Sequence, residues 1–87
     1  MAAGDFRWNG ANLEHATRHG VTPEDAEHVV RFARQPYPQP HRKGSWIVVG
    51  HGNSNRLVRV VYLLDPDDTV YIIHAMPLGG RRRSRGK

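Results

Sequence analysis

The chain has 87 residues and contains no cysteine and no long apolar run. The lack of cysteine excludes a disulfide framework and a thiolate metal site. The apolar stretches fall far short of the roughly 20 residues of a membrane span, and the N-terminus lacks the charged and apolar segments of a signal peptide. We therefore expect a soluble, unsecreted, cytoplasmic protein with no membrane partner, folded as one small domain near the lower size limit for a stable core.

Acidic residues are fewer than basic ones: the sequence has 8 against 13, for a net charge of +5. Such a balance favours an anionic partner. Five of the basic residues fall in the last seven positions, where no apolar residue could anchor them. We therefore predict a single folded domain over 5–78 and a basic disordered tail over 79–87. Because the domain itself carries eight basic and eight acidic residues, anion binding must come from particular side chains.

Two short helices are expected, over 10–19 and 23–34. Gly20 suits the left-handed residue that follows a helix end. Thr22 and Pro23 offer an N-cap and a first helical residue for the second helix. Apolar residues in that helix recur at helical spacing, so one of its sides should face a core.

Two other segments have less regular patterns. Residues 5–8 alternate polar and aromatic side chains, which predicts a brief edge strand or an anchoring arm. Pro36, Pro38 and Pro40 predict an extended loop over 35–44 that takes no part in helix or ladder pairing.

The second half of the chain reads as strands. β-Branched and aromatic residues dominate 45–50, 57–64 and 69–75, and turn-forming residues fill 51–55 and 65–68. This pattern indicates an antiparallel meander. The predicted class is α+β, with two N-terminal helices packed on one face of an antiparallel sheet of three to four strands.

The register of the last two strands depends on the length of the loop at 65–68. A loop of two or four residues places Arg59 directly opposite His74 and Tyr62 opposite Tyr71. A loop of three residues would abolish both pairs. We expect the first arrangement.

Several stretches of the sequence carry a family resemblance: Phe6-x-Trp8-x-x-x-Asn12-x-x-His15, His19-Gly20-Val21-Thr22-Pro23-Glu24-Asp25-Ala26-Glu27, Arg56-Leu57 and Ile72-Ile73-x-Ala75. Over about residues 5–76 the chain resembles the BrnT toxin family of the RelE and ParE superfamily. The resemblance implies a RelE-like fold and metal-independent RNA cleavage by the toxin of a type II toxin–antitoxin pair. It implies no cofactor, and RNA and a cognate antitoxin as partners, in a homodimer or a toxin–antitoxin hetero-oligomer. The chain departs from the family at His74-Ala75-Met76, where BrnT-like toxins usually have Ser-Ala-Arg.

Metal-free RNA cleavage needs a base, an acid and cations on the phosphate oxygens. We predict that His74 acts as base or acid, since its ordinary pKa lies near neutrality. Arg59 would hold the phosphate through two parallel hydrogen bonds, and Arg56 would reach RNA or an antitoxin carboxylate. These three residues form the predicted catalytic group. The predicted RNA-binding residues are His15, His19, His51, Arg42, Lys43, Arg81, Arg82 and Arg83.

Each of these residues also has a structural interpretation. His74 could be a partly buried histidine at a strand end, and Arg59 could lie on a solvated face. His15 and His19 have the helical spacing of metal ligands, but no third ligand is apparent, so no metal site is expected. A second hypothesis is therefore a non-enzymatic binding module of the same fold, for a protein partner or nucleic acid.

Overall fold

The structure, a computed structural model, describes residues 5–78; the tail predicted at 79–87 lies outside them. Its four strands form one antiparallel sheet in sequence order. The elements are α1 (Gly10–Thr17), α2 (Pro23–Arg31), β1 (Gln39–Pro40), β2 (Trp46–His51), β3 (Leu57–Leu64) and β4 (Val70–Pro77), with a 3₁₀ turn at Arg42–Gly44. The predicted α+β class, with two helices before an antiparallel sheet, is confirmed. None of the described helices has the length and apolarity that crossing a bilayer requires.

Side-chain caps start both helices. Asn9 and Asn12 cap α1 reciprocally, each side chain accepting from the other's backbone N–H. The Thr22 hydroxyl accepts from the N–H of Asp25 at 3.1 Å at the start of α2. Such caps satisfy N–H groups that have no partner within the helix.

The helices end earlier than predicted, α1 at Thr17 and α2 at Arg31. Gly20, at φ 86°, turns the chain after α1. At the end of α2 the Phe32 backbone leaves the helical region, and its N–H bonds back into the last turn. Phe32 is 64% exposed, so no core contact favours another turn.

The prediction that 35–44 makes no ladder pairs is wrong. Gln39 and Pro40 pair with Ile47 and Trp46 as the short strand β1. Proline is compatible with this position because β1 is at the edge of the sheet, where its missing N–H is not needed by a further strand.

The two helices cover one face of the sheet and enclose the core. Between residues 5 and 78 the buried cluster consists of Ala16, Val21, Ala26, Val29, Val30, Val48, Val58, Val60, Tyr62, Val70, Ile72 and Ala75. Of the two alternatives predicted for residues 5–8, the structure has the anchoring arm rather than a strand: Phe6 makes a single parallel bridge to Val70, and Phe6 and Trp8 pack against the core. The other face, here called the outer face, carries the alternate strand residues, among them Arg59, Val61, Leu63 and His74.

The loop between β3 and β4 has three residues rather than two or four. The N–H of Asp65 donates to the carbonyl of Thr69 at 2.9 Å, and the N–H of Asp68 donates to the carbonyl of Asp65 at 2.8 Å. Asp68 adopts a left-handed φ of 69°. These are the features of a three-residue hairpin loop whose last residue is left-handed. The loop at 53–55 repeats them, with Asn55 at φ 66°.

The predicted register is consequently wrong. Arg59 lies opposite Met76, and His74 lies opposite Val61. The loop accounts for one residue of the shift, and a β-bulge at Ile73 adds another, because Ile73 has no partner in the ladder. The predicted pairing of the two tyrosines fails because of the loop length alone, since both lie between the loop and the bulge.

Tyr62 and Tyr71 lie on opposite faces of the sheet. Tyr62 faces the core and is 6% exposed. Tyr71 lies opposite Leu63 on the outer face, where the Arg7 guanidinium stacks 4.1 Å from its ring centroid.

Candidate active site

A groove of about 500 Å³ opens on the outer face of the sheet. Its floor is apolar and its rim is basic. It is lined by His41, Arg42, Lys43, Ser45, Arg59, Val61, Leu63, Ile73 and His74. We call it the outer groove.

Arg59 and His74 meet in the outer groove although they are not direct partners. Arg59 and Val61 are two residues apart on β3 and so share a face. His74 lies opposite Val61 and therefore projects on that same face. Diagonal neighbours of this kind are about 7–8 Å apart, within reach of an arginine side chain.

The bulge in β4 determines where His74 points. Without an unpaired residue at Ile73, strict alternation would turn His74 toward the core and Ala75 outward. With it, Ala75 is buried and His74 lines the outer groove. The groove histidine is thus a product of the bulge.

His74 has the properties of a proton acceptor near neutral pH. Burial lowers its pKa, and the nearby positive charges of Arg59, His19 and His15 lower it further. The ring of His19 lies edge-on to that of His74, with centroids 5.8 Å apart. The structure therefore brings the predicted residues His15 and His19 near His74, although neither of them lines the outer groove.

The predicted RNA-binding residues Arg42 and Lys43 lie at the rim of the outer groove, in the loop between β1 and β2. Ser45 holds this loop, because its hydroxyl donates to the carbonyl of Arg42 at 2.7 Å. Lys43, at φ 55°, and Gly44, at φ 76°, provide the tight turn.

The charges around the outer groove have one sign. Among residues 5–78, no carboxylate lines it. The Nε atom of Arg59 is buried and has no hydrogen-bond partner among these residues. The outer groove therefore presents a positive surface, which favours an anionic ligand.

Arg56 does not line the outer groove and has a structural contact instead. Its Nη2 donates to the carbonyl of Gly20 at 2.8 Å. This bond attaches the bend between the helices to the start of β3. The structure therefore does not bring Arg56 together with the other two members of the predicted catalytic group.

The bend makes a second attachment to the sheet through Asp25. This carboxylate is 3% exposed and accepts from the N–H and the hydroxyl of Ser54, both at 2.8 Å. Gly52 lies against it; a Cβ there would come within 2.7 Å of Oδ1. Asp25 and Ser54 thus join α2 to the β2–β3 hairpin, a role that sequence reasoning missed. The sequence gives two signals of this role: a run of turn-forming residues after β2, and an acidic residue in the first turn of α2.

Asn12 is another buried structural residue. Its Nδ2 donates to the carbonyls of Arg7 at 3.0 Å and Ile72 at 2.9 Å. The second bond holds α1 against β4 one residue before the bulge. Asn12 therefore positions the helix that His19 follows.

The remaining predicted site residues lie elsewhere. His51 belongs to a second groove on the other side of the sheet edge. Arg81, Arg82 and Arg83 lie outside the described residues. His41 and the apolar floor of Val61, Leu63 and Ile73 were not predicted; the alternation of β3 was the signal that could have found the floor.

Within 5–78, no three histidine, aspartate or glutamate side chains converge in a way that could hold a metal ion. Comparison of the chain with protein-family models, curated proteins and solved structures finds no match.

Proposed function

We propose that this chain is a BrnT-like toxin of a type II toxin–antitoxin pair, a metal-independent ribonuclease that acts in the cytoplasm. One observation carries the proposal: Arg59 and His74 share a groove with Arg42 and Lys43, and no described carboxylate lines it. A groove with a basic rim and an apolar floor suits a phosphate with an adjoining base. The family named in this proposal comes from the resemblance of the sequence motifs to those of BrnT-like toxins.

The groove residues allow a simple division of labour. His74, neutral near pH 7 because its pKa is lowered, accepts the proton of the ribose 2′-hydroxyl. The 2′-oxygen attacks phosphorus, and the bond from phosphorus to the 5′-oxygen breaks. In this proposal His19, whose ring is edge-on to that of His74, donates the proton that the leaving 5′-oxygen takes. The products are a 2′,3′-cyclic phosphate and a 5′-hydroxyl.

Arginine side chains stabilise the charge that develops in this step. Arg59 and Arg42 hold the non-bridging phosphate oxygens. Met76 stands where the family usually has its strand-end arginine, and Arg59 lies directly opposite Met76. In this proposal the cation comes from β3 rather than β4, at the same level of the sheet.

A bacterial expression experiment tests the proposal. The full chain and a His74→Ala, Arg59→Ala double variant are induced, and growth and RNA integrity are followed. Arg18→Ala is the matched control, since Arg18 is an exposed cation on the turn after α1 that pairs only loosely with Glu14, at 3.7 Å. We expect growth arrest and RNA fragmentation with the wild type and with Arg18→Ala, and neither with the double variant. Harmless expression of all three would defeat the toxin proposal.

The products distinguish this reaction from cleavage by a contaminant. RNA treated with the purified chain should carry 2′,3′-cyclic phosphate ends, and chelation of divalent cations should leave the rate unchanged. Fragments bearing 5′-phosphates would contradict the assignment of His74.

The second candidate is a non-enzymatic binding module of the same fold, for nucleic acid or a protein partner. The absent strand-end arginine, with Met76 in its place, is the observation that favours it. This candidate predicts RNA retention without cleavage, and Arg59→Gln would weaken that retention. Co-expression with a cognate antitoxin distinguishes the two, because relief of growth arrest requires a toxin.

A further inference from the structure

The chain has a second groove, of about 270 Å³, between α2 and the edge of β2. We call it the edge groove. It is lined by His28, Val29, Phe32, Arg34, Val49, Gly50 and His51. It is separate from the outer groove and shares no lining residue with it.

One wall of the edge groove is an unpaired stretch of β2. The short strand β1 pairs only with Trp46 and Ile47. Within residues 5–78, no strand pairs with the outer side of β2 from Val48 to His51. This half of β2 is therefore an open sheet edge.

The alternation of hydrogen-bonded pairs between β2 and β3 shows which backbone N–H and C=O groups point outward from this edge. The N–H of Gly52 donates to the carbonyl of Arg56 across the hairpin. Antiparallel partners alternate between hydrogen-bonded and non-hydrogen-bonded pairs, so Val49 and His51 direct their N–H and C=O groups away from β3. These groups are what an added antiparallel strand would pair with.

The other wall provides an apolar contact. Phe32 is 64% exposed, and the ring of His28 lies 4.6 Å from it, centroid to centroid. Gly50 carries no side chain, and a Cβ there would lie 3.9 Å from Val29, so packing does not require glycine at this position. An apolar side chain of an added strand would lie in the edge groove between Gly50 and Phe32.

The charge of the edge groove selects the kind of strand. Arg34 and two histidines line it, and no described carboxylate does. Glu24 and Glu27 line a neighbouring hollow that also contacts Phe32 and His28, and Glu27 is bonded to the indole N–H of Trp8 at 2.8 Å. A second copy would bring its own Arg34 to this edge and therefore like charge, whereas an acidic segment is complementary.

We propose that the open edge of β2 binds an extended acidic segment of a partner protein as an added antiparallel strand, with an apolar side chain of that segment against Phe32. Main-chain pairing with Val49 and His51 gives the affinity, and Phe32 and Arg34 give the selectivity. This inference does not depend on RNA cleavage, because neither the edge nor its lining belongs to the outer groove.

A peptide experiment tests it on the full chain. The probe is an end-blocked decapeptide that alternates valine and glutamate and has one central phenylalanine, and amide hydrogen exchange is followed by NMR. At a peptide concentration about ten times Kd, amide exchange at Val49 and His51 should slow about tenfold. Phe32→Ser and Arg34→Glu should each weaken the protection, whereas Arg18→Glu, which changes an exposed cation elsewhere, should leave it unchanged. Val49→Pro should abolish binding, since it removes one of the outward N–H groups while leaving the pairing with β3.

Other results would overturn the proposal. One is equal protection by a peptide with lysine in place of glutamate; another is no protection at Val49 and His51 up to about 1 mM peptide. Shifts confined to Arg59 and His74 would assign the peptide to the outer groove. Protection that rises with protein concentration alone would make the occupant a second copy, and the same protection by a single-stranded oligonucleotide would make it nucleic acid.

Discussion

Replacing Asp25 with alanine should destabilise the fold without touching the outer groove. The variant removes a buried carboxylate that accepts two hydrogen bonds from Ser54 in the loop between β2 and β3. The cap on α2 survives, because Thr22 bonds the backbone N–H of residue 25 and not its side chain. The loss is therefore confined to the attachment between α2 and the hairpin.

The magnitude follows from the two lost bonds. Hydrogen bonds to charged groups contribute about 1.5–3 kcal/mol each, and the exposure of Ser54 argues for the lower part of that range, so we expect a loss of about 2–4 kcal/mol. For a domain of this size, each kcal/mol lowers Tm by about 4–8 °C, which gives a fall on the order of 15 °C. Thermal and urea unfolding, followed by circular dichroism, measure both quantities.

The pH dependence supplies an independent check. Burial raises the pKa of Asp25, but the hydrogen bonds from Ser54 and the charge of Arg56 outweigh burial and hold it below its ordinary value. A carboxylate with a lowered pKa stabilises the fold above its ordinary pKa of about 4, and that contribution is lost as the pH falls through the lowered pKa. The gap between wild type and variant should therefore close in strong acid.

Asp67 provides the matched control for this variant. It is an exposed aspartate in the other hairpin loop and accepts from the N–H of Thr69 at 3.1 Å. Asp67→Ala should change Tm far less than Asp25→Ala. A variant at Asp25 that melts with the wild type, or a gap that is the same at neutral and acid pH, would refute the reasoning.

Three further predictions concern the core contacts and the outer groove. Gly52→Ala should destabilise the fold, because its Cβ would lie 2.7 Å from the Asp25 carboxylate; unchanged urea unfolding would contradict this. Asn12→Leu should cost about 2–4 kcal/mol in urea unfolding, since it leaves two carbonyls without their donor, and a loss well under 1 kcal/mol would show that water replaces it. In an NMR titration His74 should deprotonate with a midpoint below the ordinary 6.5, and Arg59→Gln should raise that midpoint by removing a neighbouring positive charge. A wild-type midpoint at or above 6.5 would rule out the burial inferred for this ring.

Local signals in the sequence were enough for the two helices and the three longer strands of the fold, but not for β1. The bend at Gly20 and the cap at Thr22 follow from short-range hydrogen bonding and φ preferences, and both are present. The hairpins follow from β-branched runs between turn residues. Such features need no knowledge of distant contacts, which is why they could be predicted.

The register could not be predicted in the same way. A three-residue hairpin loop usually marks its left-handed position with glycine, and here Asp68 and Asn55 take that conformation. The bulge at Ile73 has only a weak signal in the sequence. Ile72 and Ala75 are both buried, yet they are three positions apart, whereas strict alternation separates residues on one face by an even number of positions. One unrecognised loop length and one unrecognised bulge displaced the predicted pairs.

The candidate site was predicted in part. The correct residues were chosen for the chemistry of their side chains, and not from a correct prediction of their geometry. Arg59, His74, Arg42 and Lys43 were chosen as cations and proton carriers, and the fold places all four at the outer groove. Arg56 was chosen on the same grounds, but its partner is a carbonyl in the bend. The residue type is enough to identify a candidate side chain for the site, but the hydrogen-bond partner of that side chain depends on segments far away in the sequence.

The bulge in β4 divides that strand into two parts with different registers. Residues before Ile73 keep the register set by the hairpin. Residues after it are displaced by one position, so the side chains that would point inward point outward, and the reverse. A single inserted or deleted residue near this point would change which side chains of the second part of β4 lie on the outer face. The hairpin and the start of the strand would stay as they are. Selection acting on chain length at one position could therefore remodel the groove more abruptly than any substitution in it.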